Sequence, residues 1–172
     1  MKKLILMATI ISATMVAHAQ SNQADEQAVR NICVTLEKAW NEKSGELFSS
    51  VFADVHDYIV VNGYYLPGFT RERNAATHQG LFDGIYKNTS IKLKIDKISF
   101  TRPDLAMINV LGARYNKDSM VPADPMAIMT ILVEKKKDGW KIISFHNHEM
   151  EAFDKDRMPV PMQVMFASWY KN

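Results

Sequence analysis

A single cysteine, Cys33, stands in the 172 residues, so no disulfide can form within the chain and a packed core must hold it together. Cys33 falls on the apolar face of the first predicted helix, where a buried, unreactive thiol is expected. Glycine is sparse, with seven in all, and none of them builds a glycine-rich phosphate loop, so no nucleotide cofactor is called for and no other cofactor is expected. Beyond residue 19 no apolar run approaches the roughly 20 residues of a membrane-spanning helix. A surplus of one charge is missing too. There are 21 basic and 19 acidic residues, and setting aside Lys2 and Lys3 brings them into balance. That removes the basic field needed to hold nucleic acid or an anionic membrane. No internal repeat or low-complexity tract is present.

What the chain does have begins with a leader. Met1-Lys2-Lys3 precedes an uncharged segment from Leu4 to Val16 and then Ala17-His18-Ala19, the basic, apolar and small-x-small layout of a secretory signal peptide. Residues 1–19 are read as that leader, residues 20–150 as the domain, and residues 151–172 as a C-terminal extension. Export to the periplasm or the medium follows as an expectation, and residues 20–172 suit one domain with one core.

Val29, Ile32, Cys33, Leu36, Ala39 and Trp40 recur at three- and four-residue steps between Asp25 and Lys43, which predicts an amphipathic helix. A short helical piece spans Glu46 to Phe52. A first strand is expected from His56 to Asn62, and Gly63 with Pro67-Gly68 turns the chain. Thr70 can cap a helix carrying Ala75, Ala76, His78, Leu81, Phe82 and Ile85. From Ile91 the pattern alternates with period two, and its phase slips at Lys97, as a β-bulge would make it. Strands follow from Leu105 to Asn116 and from Ala127 to Lys136. Asp138-Gly139 marks a tight hairpin into a last strand, Trp140 to Glu149. Strict alternation along that strand would put Trp140, Ile142, Ser144, His146 and His148 on one face. A strand that starts as core and ends in imidazole, amide and carboxylate groups is a candidate pocket wall. Met162, Val164, Met165, Phe166, Trp169 and Tyr170 make the extension too apolar to leave in water, so it needs a surface of its own domain or of a partner. Helices gathered at one end of a bent antiparallel sheet give an α+β domain with a cavity between the layers.

Several pieces together resemble a known group: Ala39-Trp40-Asn41, Leu47-Phe48, Val51-Phe52-Ala53-Asp54, Asp57-Tyr58-Ile59, His78 with Leu81-Phe82, Arg102-Pro103-Asp104-Leu105-Ala106, and Asp138-Gly139-Trp140-Lys141-Ile142 ending in Phe145-His146-Asn147. Over about residues 25–149 they are similar to the SnoaL-like group of the nuclear transport factor 2-like superfamily, and most similar to its SgcJ/EcaC branch. The resemblance implies a cone-shaped, cystatin-like fold, a curved antiparallel sheet wrapped around N-terminal helices. It also implies a homodimer through the outer face of the sheet and a pocket that serves isomerases and dehydratases in some relatives and ligand binding in others. The chain departs from the group in Val60, in the longer loop from Gly63 to Thr70 with Tyr64, Tyr65 and Phe69, and in the appended tail.

In such a cone His78 and His146 would both face the cavity, with Asp57 as a third catalytic candidate. Trp40, Tyr58, Tyr65, Phe82, Arg114 and Asn147 are the candidate ligand contacts. Imidazole beside a carboxylate suits proton transfer near neutral pH. The same groups can equally be structural or bind a ligand, so two functions are carried forward: an exported domain binding a small apolar molecule, and an acid/base enzyme of isomerase or dehydratase type using a His/Asp pair. His146, His148 and Glu149 lack the convergent spacing of a metal site, and none is expected.

Overall fold

The computed structural model describes residues 23–150 and 160–171. The leader and the segment 151–159 lie outside the described residues. The expected stripe of Val29, Ile32, Cys33, Leu36 and Ala39 is buried and forms helix α1, residues 23–42. It shares one core with Ile108, Val110, Ile131, Val133 and Ile142 from the sheet. Burial pushes the Cys33 thiol up to about 12, so at neutral pH it remains a protonated, apolar packing group.

Lys43, with φ 62°, turns the chain out of α1. Ser44 then accepts the Leu47 amide at 3.1 Å to cap α2, Gly45–Ser49. Gly45 is required here, because a Cβ at this position would stand 2.3 Å from the Ala75 carbonyl of the next helix. Strand β1, Phe52–Ile59, begins and ends earlier than the expected His56 to Asn62, and the loop expected after it contains a second strand, β2, Tyr65–Thr70. Pro67 tolerates that place because β2 is an edge strand. Helix α3, Arg71–Asp83, starts at the predicted cap, Thr70, whose hydroxyl accepts the Arg73 amide at 3.3 Å. Ile85 lies past its end and is exposed.

The remaining strands are β3, Thr89–Arg102, β4, Leu105–Asn116, β5, Ala127–Lys136, and β6, Gly139–Glu149. Among the described residues the strands form one six-stranded sheet in the order β2-β1-β6-β5-β4-β3. The pairings are antiparallel except that β1 lies parallel to β6, a long-range pairing that no local pattern announces. The expected slip in β3 is present, with the register shifting between Ile95 and Lys97. Helix α1 also closes the free edge of β3: the Asn41 amide exchanges two hydrogen bonds with Ile91, at 2.9 and 3.1 Å, and Glu37 accepts the Leu93 amide at 2.6 Å. Edge groups satisfied in this way no longer invite another strand.

A second register shift corrects the reading of β6. Leu132 pairs with Ser144 but Val133 pairs with Ile142, so Ile143 is an extra residue. A bulge reverses the side-chain alternation beyond it. Trp140 and Ile142 therefore point inward, and so do Phe145, Asn147 and Glu149. His146 and His148 are exposed on the outer face.

The extension meets its own domain. Residues 160–171 contain α4, Met162–Met165, and α5, Ala167–Tyr170, which sets Trp169 on the outer side of the sheet with Leu111, Ala113 and Ile128. The indole donates to the Ala123 carbonyl at 3.0 Å and the Tyr170 hydroxyl to Asp124 at 2.6 Å, while Lys94 donates to the carbonyls of Trp169 and Lys171. Val164 and Met165 stay exposed. Trp169→Ala is expected to destabilise the protein by about 3 kcal/mol in urea unfolding, as the loss of a buried indole does. Met165→Ala should change stability by less than about 0.5 kcal/mol.

Candidate functional site

Between the inner face of the sheet and the helices lies a cavity of about 130 Å³. Gly112 is part of its lining. A Cβ on Gly112 would lie 2.8 Å from Met129 Cε and 3.1 Å from Leu93 Cδ2, so a side chain here would press on two of the cavity's walls. Leu36, Trp40, Phe48, Leu93, Met129 and Phe145 give it apolar walls.

The polar groups are few. His78, on the buried face of α3, stacks on Phe48 with ring centroids 3.9 Å apart. Its Nδ1 lies 3.1 Å from the Asn74 carbonyl. A carbonyl can only accept, so Nδ1 carries the proton and Nε2 presents a lone pair. The Tyr58 hydroxyl, 3.4 Å from Nε2, donates to it across a long and therefore weak bond. Behind this pair His56 donates from Nδ1 to the Ala53 carbonyl at 3.1 Å and accepts the Asn74 side-chain amide at Nε2, 2.9 Å away. Both imidazoles are thus neutral. Burial drives His78 down to about 4, the hydrogen bond to Asn74 opposing it only in part and His56 adding to it. Burial likewise lowers His56 and raises the Tyr58 phenol. At neutral pH the site therefore holds an uncharged base and a protonated phenol.

At the mouth Arg114 lies 3.6 Å from Glu149, both partly exposed, with its guanidinium 4.8 Å from the centre of the Tyr86 ring. Asn147 sits between Phe145 and this mouth on β6.

Of the residues singled out in the sequence, His78, Trp40, Tyr58, Arg114 and Asn147 line the cavity. The others do not. His146 is on the opposite face of the sheet because of the bulge at Ile143, so the expected pairing of His78 with His146 is replaced by that of His78 with Tyr58. Asp57 points away from the cavity and accepts the Tyr65 hydroxyl at 3.2 Å and the Gly68 amide at 3.0 Å, tying β1 to β2. Tyr65 is accordingly exposed outside the cavity. Phe82 is buried behind the wall, edge-on to Trp40 at 5.3 Å. His146 and His148 also diverge from Glu149, and no group of three metal-ligand side chains occurs among the described residues. His56 and Asn74 were not anticipated. The signals for them were spacings: His56 and Tyr58 are two apart on a strand, Asn74 and His78 four apart on a helix.

A bent sheet packed on helices α1 to α3, with a pocket between the layers, defines a cystatin-like, nuclear transport factor 2-like fold. Known structures agree. The chain is similar to a domain of unknown function with a cystatin-like fold from Nostoc punctiforme PCC 73102, at 29% identity over 77% of this chain and 82% of that one, with a TM-score of 0.70. It is also similar to a candidate dehydratase of the NTF2-like family from Streptomyces avermitilis, at 19% identity over 76% and 99% with a TM-score of 0.59. A ketosteroid isomerase-like protein from Erwinia carotovora atroseptica matches at 14% identity over 73% and 95%, with a TM-score of 0.56. No family model and no curated protein matches the chain.

The neutral His78 makes stability pH-dependent. Its folded value of about 4 lies below the unfolded value of about 6.5, so stability is full above pH 6.5 and is lost as pH falls from there toward 4. Between pH 7 and 4.5 the loss assigned to His78 is on the order of 2–3 kcal/mol. Urea unfolding of His78→Gln at the two pH values should show a pH difference smaller by that amount. An unchanged difference would remove His78 from the acid sensitivity.

Proposed function

We propose that this is an exported domain that binds a single-ring, largely apolar molecule between its sheet and helices, in the manner of the SnoaL-like, SgcJ/EcaC-type branch. The observation that carries the reading is the cavity of about 130 Å³ behind Gly112, close to the ~150 Å³ that accommodates benzene in an apolar protein interior. Its apolar walls and small number of convergent polar groups fit a ligand site. Export rests on the leader of residues 1–19, and the branch on the motifs of residues 25–149.

The test is a panel of single-ring compounds followed by ligand-observed NMR. Binders should lose affinity several-fold in Gly112→Ala, whose methyl presses on Met129 and Leu93. A panel without a single binder would count against the proposal.

A second reading is favoured by one feature, the neutral His78 Nε2 beside the Tyr58 hydroxyl inside the cavity. That pair can remove a proton from carbon while the phenol stabilises the developing oxyanion. Acid/base catalysis of isomerase or dehydratase type follows, with Tyr58 in the place first given to Asp57. The candidate dehydratase and the ketosteroid isomerase-like protein of similar fold lend it support. Deuterium incorporation into cyclohexanone in D₂O should be accelerated by the protein and fall at least about tenfold in His78→Gln. Incorporation at the buffer rate would reject catalysis and leave binding in place.

A further inference from the structure

Two residues of opposite charge stand at the mouth of the cavity, on strands separated by β5. Glu149 on β6 pairs with Ala127 on β5, and Ala127 pairs with Gly112 on β4, two positions before Arg114. All four line the cavity. Ala127 is short, so the long side chains of Arg114 and Glu149 reach past it and stand 3.6 Å apart, 40% and 53% exposed. That separation is longer than a hydrogen bond, and an ion pair so exposed adds little to stability. What holds the guanidinium is an aromatic surface. It lies 4.8 Å from the centre of the Tyr86 ring, which itself leans on Trp40 in the cavity wall at 4.8 Å. Stacking occupies the face of a guanidinium and leaves the N–H donors along its edge available. Glu149, approached by Arg114 at Oε1, has acceptor capacity beyond that contact. The mouth therefore offers a donor edge and an acceptor side by side, both open to solvent and both at the rim of an apolar cavity.

We infer that the pocket takes an α-amino acid with a single-ring side chain: the ring enters the apolar cavity, and the zwitterionic head stays at the mouth with its carboxylate on Arg114 and its ammonium on Glu149. This rests on the pocket being a ligand site. The two charges of such a head sit on one carbon. Set beside the Arg114 and Glu149 pair they complete a ring of four charges of alternating sign, in which each has an opposite charge on either side. A ligand with a single charge gains one partner and meets a like charge 3.6 Å beyond it, so it is selected against. The half-exposed mouth leaves the head part of its hydration, which spares it the cost of full burial.

Four probes share a phenyl ring and differ in the head: L-phenylalanine, 3-phenylpropionate without the ammonium, 2-phenylethylamine without the carboxylate, and ethylbenzene with neither. Each is titrated into the folded protein and followed by NMR at Gly112 and Ala127. L-Phenylalanine should bind roughly fivefold more tightly than either singly charged probe, the size of one partly exposed charge pair. Arg114→Gln should remove its advantage over 2-phenylethylamine. Glu149→Gln should remove its advantage over 3-phenylpropionate and tighten binding of 3-phenylpropionate by relieving repulsion. Ethylbenzene should bind both variants as it binds the wild type. A singly charged probe that matches L-phenylalanine in the wild type overturns the inference, and so does an advantage of L-phenylalanine that persists in both variants. Shifts with ethylbenzene and none with L-phenylalanine overturn it too, while leaving the pocket a site for apolar molecules. If no probe shifts either residue, the pocket reading itself falls and this inference falls with it.

Discussion

One unbroken run of hydrogen bonds holds the site in place. It starts at the Ala53 carbonyl, passes through His56, the Asn74 side chain and its backbone carbonyl, and His78, and ends at Tyr58. Because it begins and ends on β1 and passes through α3, it fixes the helix against the strand. His56, Asn74, His78 and Tyr58 are buried, so the bonds between them are formed in surroundings where their absence would be costly. The directions are also forced. Two carbonyls can only accept, which decides the tautomer of both imidazoles and leaves the His78 Nε2 lone pair to accept the Tyr58 hydroxyl. The chemistry available to the pocket is thus a consequence of how helix and strand are joined. Asn74 Oδ1, buried without a partner, shows that the join is held by the amide nitrogen and the backbone.

Gly112 lets Leu93 and Met129 come together over its bare backbone in the cavity wall. Interiors are otherwise close-packed, and the unfilled volume lies next to a neutral base and a phenol. Arg114 and Glu149 bracket the opening with opposite charges, which keeps the entrance polar without giving it a net sign.

The C-terminal segment bears on the same region from the other side. Trp169 packs behind Leu111 and Ala113, and it and Tyr170 bond to Ala123 and Asp124 in the loop that leads into β5. Met126 and Ala127, a few residues along, line the cavity. The tail therefore braces both the back of one cavity wall and the approach to another. Trp169, with Phe166 and Tyr170 beside it, finds its surface within the same chain, whereas Val164 and Met165 stay exposed.

Period and punctuation in the sequence determined the elements. The stripe of α1, the Thr70 cap of α3, the phase slip in β3 and the Asp138-Gly139 turn are local properties, each decided by residues within a few positions of one another. They were enough for the α+β class and, with the ordered motifs, for the cone-shaped fold. Four of the nine candidate site residues line the pocket for the same reason, since His78, Trp40, Tyr58 and Arg114 lie where the period of their element held; a fifth, Asn147, reaches it only through the bulge at Ile143. Tertiary structure decided the rest. The extra residue at Ile143 is defined only by the pairing of β6 with β5, and nothing among the neighbours of His146 signals that it would face outward. The same holds for Asp57, claimed by Tyr65 and Gly68 across a hairpin, and for the parallel union of β1 and β6. A bulge or a cross-strand partner is a relation between distant segments, and it acquires a value only when those segments meet.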